Sequence, residues 1–272
     1  MIKKKHVSVA VVLSFLAVKT VFSDCLKDAE ALMAKENYKE AVLVLDKCSK
    51  NPKAFKMLGK AYHELYQMDQ ARKYLEKHLK KSPDDLETEI LLASSHAYSK
   101  QFGKAIDKYQ NLHEKYPENK EIQKGYARAL GWNKDYDAAV SLYKSVLKKD
   151  PQDYESALEI GVILSWRKNF REAVSHLTSL IDSKPEKEWE IKARLQRAKV
   201  LSWQKKFKKA VKEYNSVLAL DSSAIEAYLG IGTVLEWQGK YKQAKANYET
   251  ALAADPQSAE VKDKLNQLMW VK

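Results

Sequence analysis

The chain has 272 residues, 45% of them hydrophobic and 31% charged, with only 8 Gly and 6 Pro, which excludes low-complexity disorder and collagen-like repeats. Lys and Arg number 48 against 36 Asp and Glu, a formal charge of +12. Such an excess favours an acidic partner only where it is concentrated on one face.

Residues 2–6 read Ile-Lys-Lys-Lys-His, and Val7 to Val18 form a twelve-residue apolar run. That is the length of a signal-peptide core and too short to span a bilayer. Val21 and Ser23 supply small residues at the minus-three and minus-one positions of a signal peptidase. Residues 1–23 are therefore expected to be cleaved between Ser23 and Asp24. Lipidation of Cys25 is the weaker alternative, because Phe22-Ser23-Asp24 lacks the leucine and the small uncharged residue that a bacterial lipobox carries before its cysteine. An uncleaved anchor is weaker still, since Lys19 closes the run. Losing Lys3, Lys4, Lys5 and Lys19 leaves 44 basic against 36 acidic residues, a charge of +8. No later stretch approaches about eighteen consecutive apolar residues. The mature chain is expected in the periplasm or outer envelope, associating with a membrane only through a partner.

From residue 24 onward one unit recurs. An alanine stands three residues after an aromatic or methionine at Tyr38/Ala41, Met68/Ala71, Phe102/Ala105, Tyr136/Ala139, Phe170/Ala173, Phe207/Ala210 and Tyr241/Ala244. The alanines are spaced by 30, 34, 34, 34, 37 and 34 residues. A small residue precedes each by twelve (Ala29, Gly59, Ala93, Ala127, Gly161, Ala198, Gly232), and Pro83, Pro117, Pro151, Pro185 or Pro256 follows five of them by twelve, with Ser222 in that place once. Within each unit two stretches carry apolar residues at three- and four-residue spacing, such as Ala157, Ile160, Gly161 and Leu164, then Phe170, Ala173, Val174 and Leu177. That is amphipathic helix periodicity, and Arg167-Lys168-Asn169 reads as the polar bend between the two. Small residues suit the places where helix axes approach to about 8 Å, and proline ends the second helix.

These columns closely resemble the tetratricopeptide repeat, whose 34-residue unit has small residues at positions 8 and 20, an aromatic at 17, Tyr or Leu at 24 and Pro at 32. The resemblance implies an all-α, right-handed superhelical solenoid. Seven repeats over residues 24–258 are placed at about 22–51, 52–85, 86–119, 120–153, 154–187, 191–224 and 225–258, with 259–272 as a capping helix. Position 24 reads Leu45, Leu75, Tyr109, Tyr143, Leu177, Tyr214 and Tyr248. A three-residue insertion within Glu186 to Glu190 precedes the sixth repeat and is expected to bend the array. In the repeat frame Cys25 lies near the start of the first helix and Cys48 near the end of its antiparallel partner. In an oxidising compartment they are expected to form a disulfide; the alternative is two buried thiols.

Catalytic motifs are lacking, so neither an enzyme nor a cofactor is expected. Eight scattered glycines make no phosphate loop. His63-Glu64 is followed by Leu65-Tyr66-Gln67, which denies a zinc site its second histidine. Ser-x-x-Lys at Ser145, Ser165 and Ser202 is what chance supplies in a lysine-rich chain.

The unusual feature is an aromatic column at position 13: Tyr98, Trp132, Trp166, Trp203 and Trp237, each four residues before the position-17 aromatic. Resemblance to the family implies that positions 2, 5, 9, 12 and 13 of the first helices line a concave groove for a protein or peptide partner. Lys124 and Arg128 are basic groove candidates, but Glu87, Glu121, Glu155 and Glu226 interrupt any basic stripe, so nucleic acid is not expected. The fold and leader together point to a noncatalytic exported scaffold, with the export machinery of envelope polysaccharides as one setting. Two alternatives for the indoles stand open: packing over the inter-helix turn, or a ladder that stacks on an envelope glycan.

Overall fold

The computed structural model describes residues 25–48 and 51–269, and all of these lie in helices or the turns between them. The expected leader, residues 1–23, lies outside the described residues. Two compact units divide at Asn133 and Lys134. The first holds α1 (residues 25–34), α2 (Tyr38–Lys47), α3 (Pro52–Glu64), α4 (Met68–Leu79), α5 (Leu86–Tyr98), α6 (Phe102–Lys115) and α7 (Lys120–Trp132). The second holds α8 (Tyr136–Lys149), α9 (Tyr154–Trp166), α10 (Phe170–Asp182), α11 (Lys187–Trp203), α12 (Phe207–Leu220), α13 (Ile225–Trp237), α14 (Tyr241–Ala254) and α15 (Ala259–Met269). Odd- and even-numbered helices alternate as the first and second helices of the repeats. The repeat at 120–153 gives α7 to one unit and α8 to the other. Among the described residues no helix is long and apolar enough to cross a membrane.

Several boundaries have a local cause. Four first helices are capped by a side chain that accepts a backbone N–H of the first turn: Asn51 from Lys53, Asp85 from Thr88, Asn119 from Ile122 and Asp153 from Ser156, at 2.9–3.1 Å. Several second helices end at an aspartate whose carboxylate accepts the N–H two residues on, Asp150 from Gln152, Asp221 from Ser223 and Asp255 from Gln257. Such turns divert the backbone from the helix. They explain why α12 stops at Leu220 in step with its neighbours although Ser222 replaces the proline.

The turn within each repeat turns on one residue in the left-handed region, at position 15. It is Glu36, Tyr66, Lys100, Lys134, Lys168, Lys205 and Gly239 in succession, with φ between 56° and 73°. Paired backbone bonds close this turn, as Lys205 N–H to the Ser202 carbonyl at 2.8 Å and Lys206 N–H to that of Leu201 at 2.9 Å. Only the last repeat uses glycine. A side chain held there costs about 1 kcal/mol relative to glycine's freedom of φ.

The core lies where the two helices of a repeat cross. All seven position-20 alanines are fully buried, and the position-24 residues are no more than 3% exposed. Two position-24 tyrosines reach beyond their own repeat. Tyr109 fills the space left by Gly125 on α7, and Tyr214 that left by Gly230 on α13. The insertion before the sixth repeat makes no break: it adds a turn to the start of α11, which has 17 residues where α3, α5, α7, α9 and α13 have 13. Arg194 and Arg197 of α11 both pair with Glu213 of α12, at 3.3 and 2.6 Å.

The two ends of the described chain are closed differently. Cys25 and Cys48 form a disulfide joining α1 to the end of α2, with Cα atoms 6.5 Å apart. At the other end α15 lays Val261, Leu265 and Leu268 on Leu229, Tyr248 and Ala251, and exposes Lys262 and Asp263. Lys264 Nζ lies 3.1 Å from Glu236 and over the Tyr248 ring, while the Tyr248 hydroxyl donates to Glu236 at 2.7 Å. A polar outer face of this kind is what a stacked array needs at its end.

Candidate functional site

The position-13 residues each end a first helix, so their rings sit at the rim where the helix meets its turn. In the second unit Trp166, Trp203 and Trp237 are 40%, 45% and 51% exposed, large values for indoles. One side of two of these rings is occupied. Trp203 packs on Phe170 and Trp237 on Phe207, centroids 6.1 and 6.2 Å apart, so each leans on the position-17 phenylalanine of the preceding repeat. Both open alternatives thus find a physical basis: the indoles cover the neighbouring turn, and about half of each ring still faces solvent.

Between α11, α13 and α15 lies a depression of about 260 Å³. Trp203 and Trp237 wall it, Ser202, Leu229 and Val234 form its floor, and Lys199, Glu226 and Glu260 stand around it. Burial pushes the Tyr214 phenol beneath it up to about 12, against the opposing effect of its hydrogen bond with Ser202, so it is neutral and a fixed part of the floor. Gly230 is needed there, since any Cβ would meet the Tyr214 ring. The depression combines apolar aromatic walls with charges of both signs. That arrangement suits an extended segment anchored by one large side chain and polar groups on either side.

The first unit holds the other candidates. Tyr98 lies edge-on to Trp132 at 5.2 Å and to Tyr66 at 5.8 Å, and Trp132 also meets Phe102. Lys124 and Arg128 are half-buried and share one face of α7 with Trp132 at four-residue spacing. The site residues named from sequence therefore fall into two sets, Tyr98, Lys124, Arg128 and Trp132 in the first unit and Trp166, Trp203 and Trp237 in the second. Sequence reading missed the depression's Lys199 and Glu260, although the position-9 lysine was legible from the repeat frame. It also missed the position-15 lysines, which the scarcity of glycine in the bends signalled. Among the described residues no group of three or more His, Cys, Asp or Glu could hold a metal ion.

Comparison with known proteins agrees with this architecture. The tetratricopeptide repeat family matches residues 56–85, 90–154, 133–195 and 204–268, and the chain belongs to that family. A tetratricopeptide repeat protein from Parabacteroides merdae, solved by crystallography, aligns with a TM-score of 0.74 at 16% identity, covering 92% of this chain and 99% of that one. The C-terminal part of a repeat-containing protein from Cytophaga hutchinsonii aligns with a TM-score of 0.54 at 19% identity, covering 88% and 98%. At these identities the likeness is one of fold. No curated protein sequence matches the chain. Tetratricopeptide repeat proteins are generally noncatalytic scaffolds that bind protein or peptide partners.

Proposed function

We propose that this chain is a noncatalytic scaffold of the periplasm or outer envelope that captures an extended segment of a partner protein along the first helices of its second unit. The depression walled by Trp203 and Trp237 carries this reading: it is a preformed recess with an apolar anchor site and charges of both signs. Indoles are favoured as interface anchors because they offer large area at little conformational entropy, with one N–H to fix direction. The leader-like residues 1–23 support the compartment, and the Cys25–Cys48 bond suits an oxidising one. An assembly that exports an envelope polysaccharide is one setting in which such a scaffold would serve.

A photo-reactive residue at Thr233, inside the depression, is expected to capture a discrete partner in living cells, whereas one at Lys245 on α14 should not. Charge reversal of Glu226 and Glu260 should abolish the Thr233 adduct. Identical adducts from both positions, or an adduct indifferent to the reversal, would refute the groove. Cell fractionation together with the N-terminal mass of the purified protein, expected to begin at Asp24, tests the compartment.

A further inference from the structure

The second unit segregates its charge between its two sets of connections. The turns inside its repeats, residues 134–135, 167–169, 204–206 and 238–240, carry Lys134, Arg167, Lys168, Lys205, Lys206 and Lys240 with Asp135 as their one acid. The loops between repeats, residues 150–153, 183–186, 221–224 and 255–258, carry Asp150, Asp153, Glu186, Asp221 and Asp255 with Lys184 as their one base. In this unit the turns inside the repeats are thus basic and the loops between repeats acidic, with Arg167 of the turns paired to Asp137. All six basic residues of this turn edge are exposed, and so are the three indoles that end the adjoining helices.

Lys134, Lys168 and Lys205 hold left-handed backbone at φ 72°, 63° and 57°, where glycine would be the less strained choice and is used at Gly239. Glu36, Tyr66, Lys100 and Lys184 hold the same conformation elsewhere, so what distinguishes this edge is that its strained non-glycine residues are all lysines. The contacts of Trp203 with Phe170 and of Trp237 with Phe207 show that consecutive turns lie side by side; a lysine follows Trp166 and Trp203 by two residues and Trp237 by three, so indole and lysine recur along the edge at the helix-packing interval of about 8–10 Å.

We propose that this turn edge binds a chain of carboxylated sugars, with Trp166, Trp203 and Trp237 as platforms for the C–H faces of the rings and Lys168, Lys205, Lys206 and Lys240 as partners for the carboxylates. It adjoins the groove along Trp203 and Trp237 but uses lysines that do not line the depression. Three features favour such a ligand. The charge requires an anion. The indoles recur once per repeat at the ends of α9, α11 and α13, so one polymer can engage several. Trp203 and Trp237 are backed by Phe170 and Phe207 and followed by Gln204 and Gln238, so each presents its free face among polar groups.

The test uses the purified mature chain and a hexagalacturonate probe, followed by tryptophan fluorescence at low and moderate salt. Maltohexaose, poly-glutamate and phosphatidylglycerol vesicles serve as comparators. Hexagalacturonate is expected to shift the emission and to bind at least tenfold more tightly than maltohexaose, weakening as salt rises. The double variant Lys168→Gly/Lys205→Gly is expected to lose at least tenfold in affinity while unfolding no more easily than the parent, because glycine relieves both turns. Absence of binding, equal binding of maltohexaose, or unchanged affinity in the variant would overturn the proposal. Tighter binding of poly-glutamate or of vesicles would overturn it too, in favour of an acidic peptide or a membrane surface. The Thr233 adduct should persist in this variant, so the edge and the groove stand or fall separately.

Discussion

Gly230 stands on α13 against the ring of Tyr214 from the preceding repeat, and a Cβ there would lie 2.2 Å from Cζ, 2.4 Å from Cε1 and 2.6 Å from the hydroxyl oxygen. Alanine would gain up to about 1 kcal/mol of helix propensity. Overpacking of a filled core costs about 1–3 kcal/mol, and Tyr214, 2% exposed, has nowhere to turn. Gly230→Ala should therefore destabilise the second unit by about 1–2 kcal/mol. Tyr214→Leu alone empties the same space and should cost about 2 kcal/mol. Together they should cost less than their sum by about 1–2 kcal/mol, because leucine at position 24 leaves room for a side chain opposite. Leu75 and Leu177 at position 24 are followed by Leu91 and Gln196 where Gly230 stands, while of the tyrosines Tyr109 is followed by Gly125 and Tyr143 by Glu159. Urea unfolding followed by far-ultraviolet circular dichroism measures the cycle. Additive effects, or a stabilising Gly230→Ala, would refute the packing argument. Gly103→Ala is the control: nothing lies within 4 Å of its Cβ site, so it should stabilise by about 0.5 kcal/mol.

Reducing the Cys25–Cys48 bond, which closes 23 residues, should remove about 3 kcal/mol from the first repeat on the chain-entropy account. Hydrogen exchange should then accelerate in α1 and α2 and stay unchanged in α9 to α14. Lys100→Gly, which relieves a left-handed residue at φ 60°, should raise the unfolding midpoint by the equivalent of about 0.5–1 kcal/mol, and a lowered midpoint would contradict the strain assigned to that turn. Burial pushes the Asp85 carboxyl up, but Lys56 Nζ, the Thr88 N–H and His78 outweigh it and hold the carboxyl well below the usual carboxylate range. A carboxyl depressed in the folded state adds stability above its unfolded pKa of about 4 and loses it as pH falls toward the folded value. Thermal midpoints should therefore begin to drop near pH 5 and fall mostly below pH 4, and Asp85→Asn should lower the midpoint at pH 7 while flattening that drop. Parallel curves for parent and variant would sink the assignment.

The fold was legible because its signal is written many times over. Small residues at positions 8 and 20 and large ones at 17 and 24 recur in phase, and burial of one alanine column needs the same neighbours in every repeat. The pairing of Cys25 with Cys48 followed from the same frame. The particular shape of the contacts was not legible. That Tyr109 and Tyr214 lean on a glycine of the next repeat depends on side-chain direction across an interface, which spacing along one helix does not carry. The bend Arg167-Lys168-Asn169 read as merely polar; that its lysine is held left-handed is set by the closing bonds of two helices. The position-13 column was plain in sequence, but how much of each indole is covered depends on the phenylalanine brought up from the preceding repeat. Local periodicity fixed which residues face the core. Which exposed residues gather into one recess or along one edge was decided only by stacking the repeats, because it brings together side chains more than thirty positions apart.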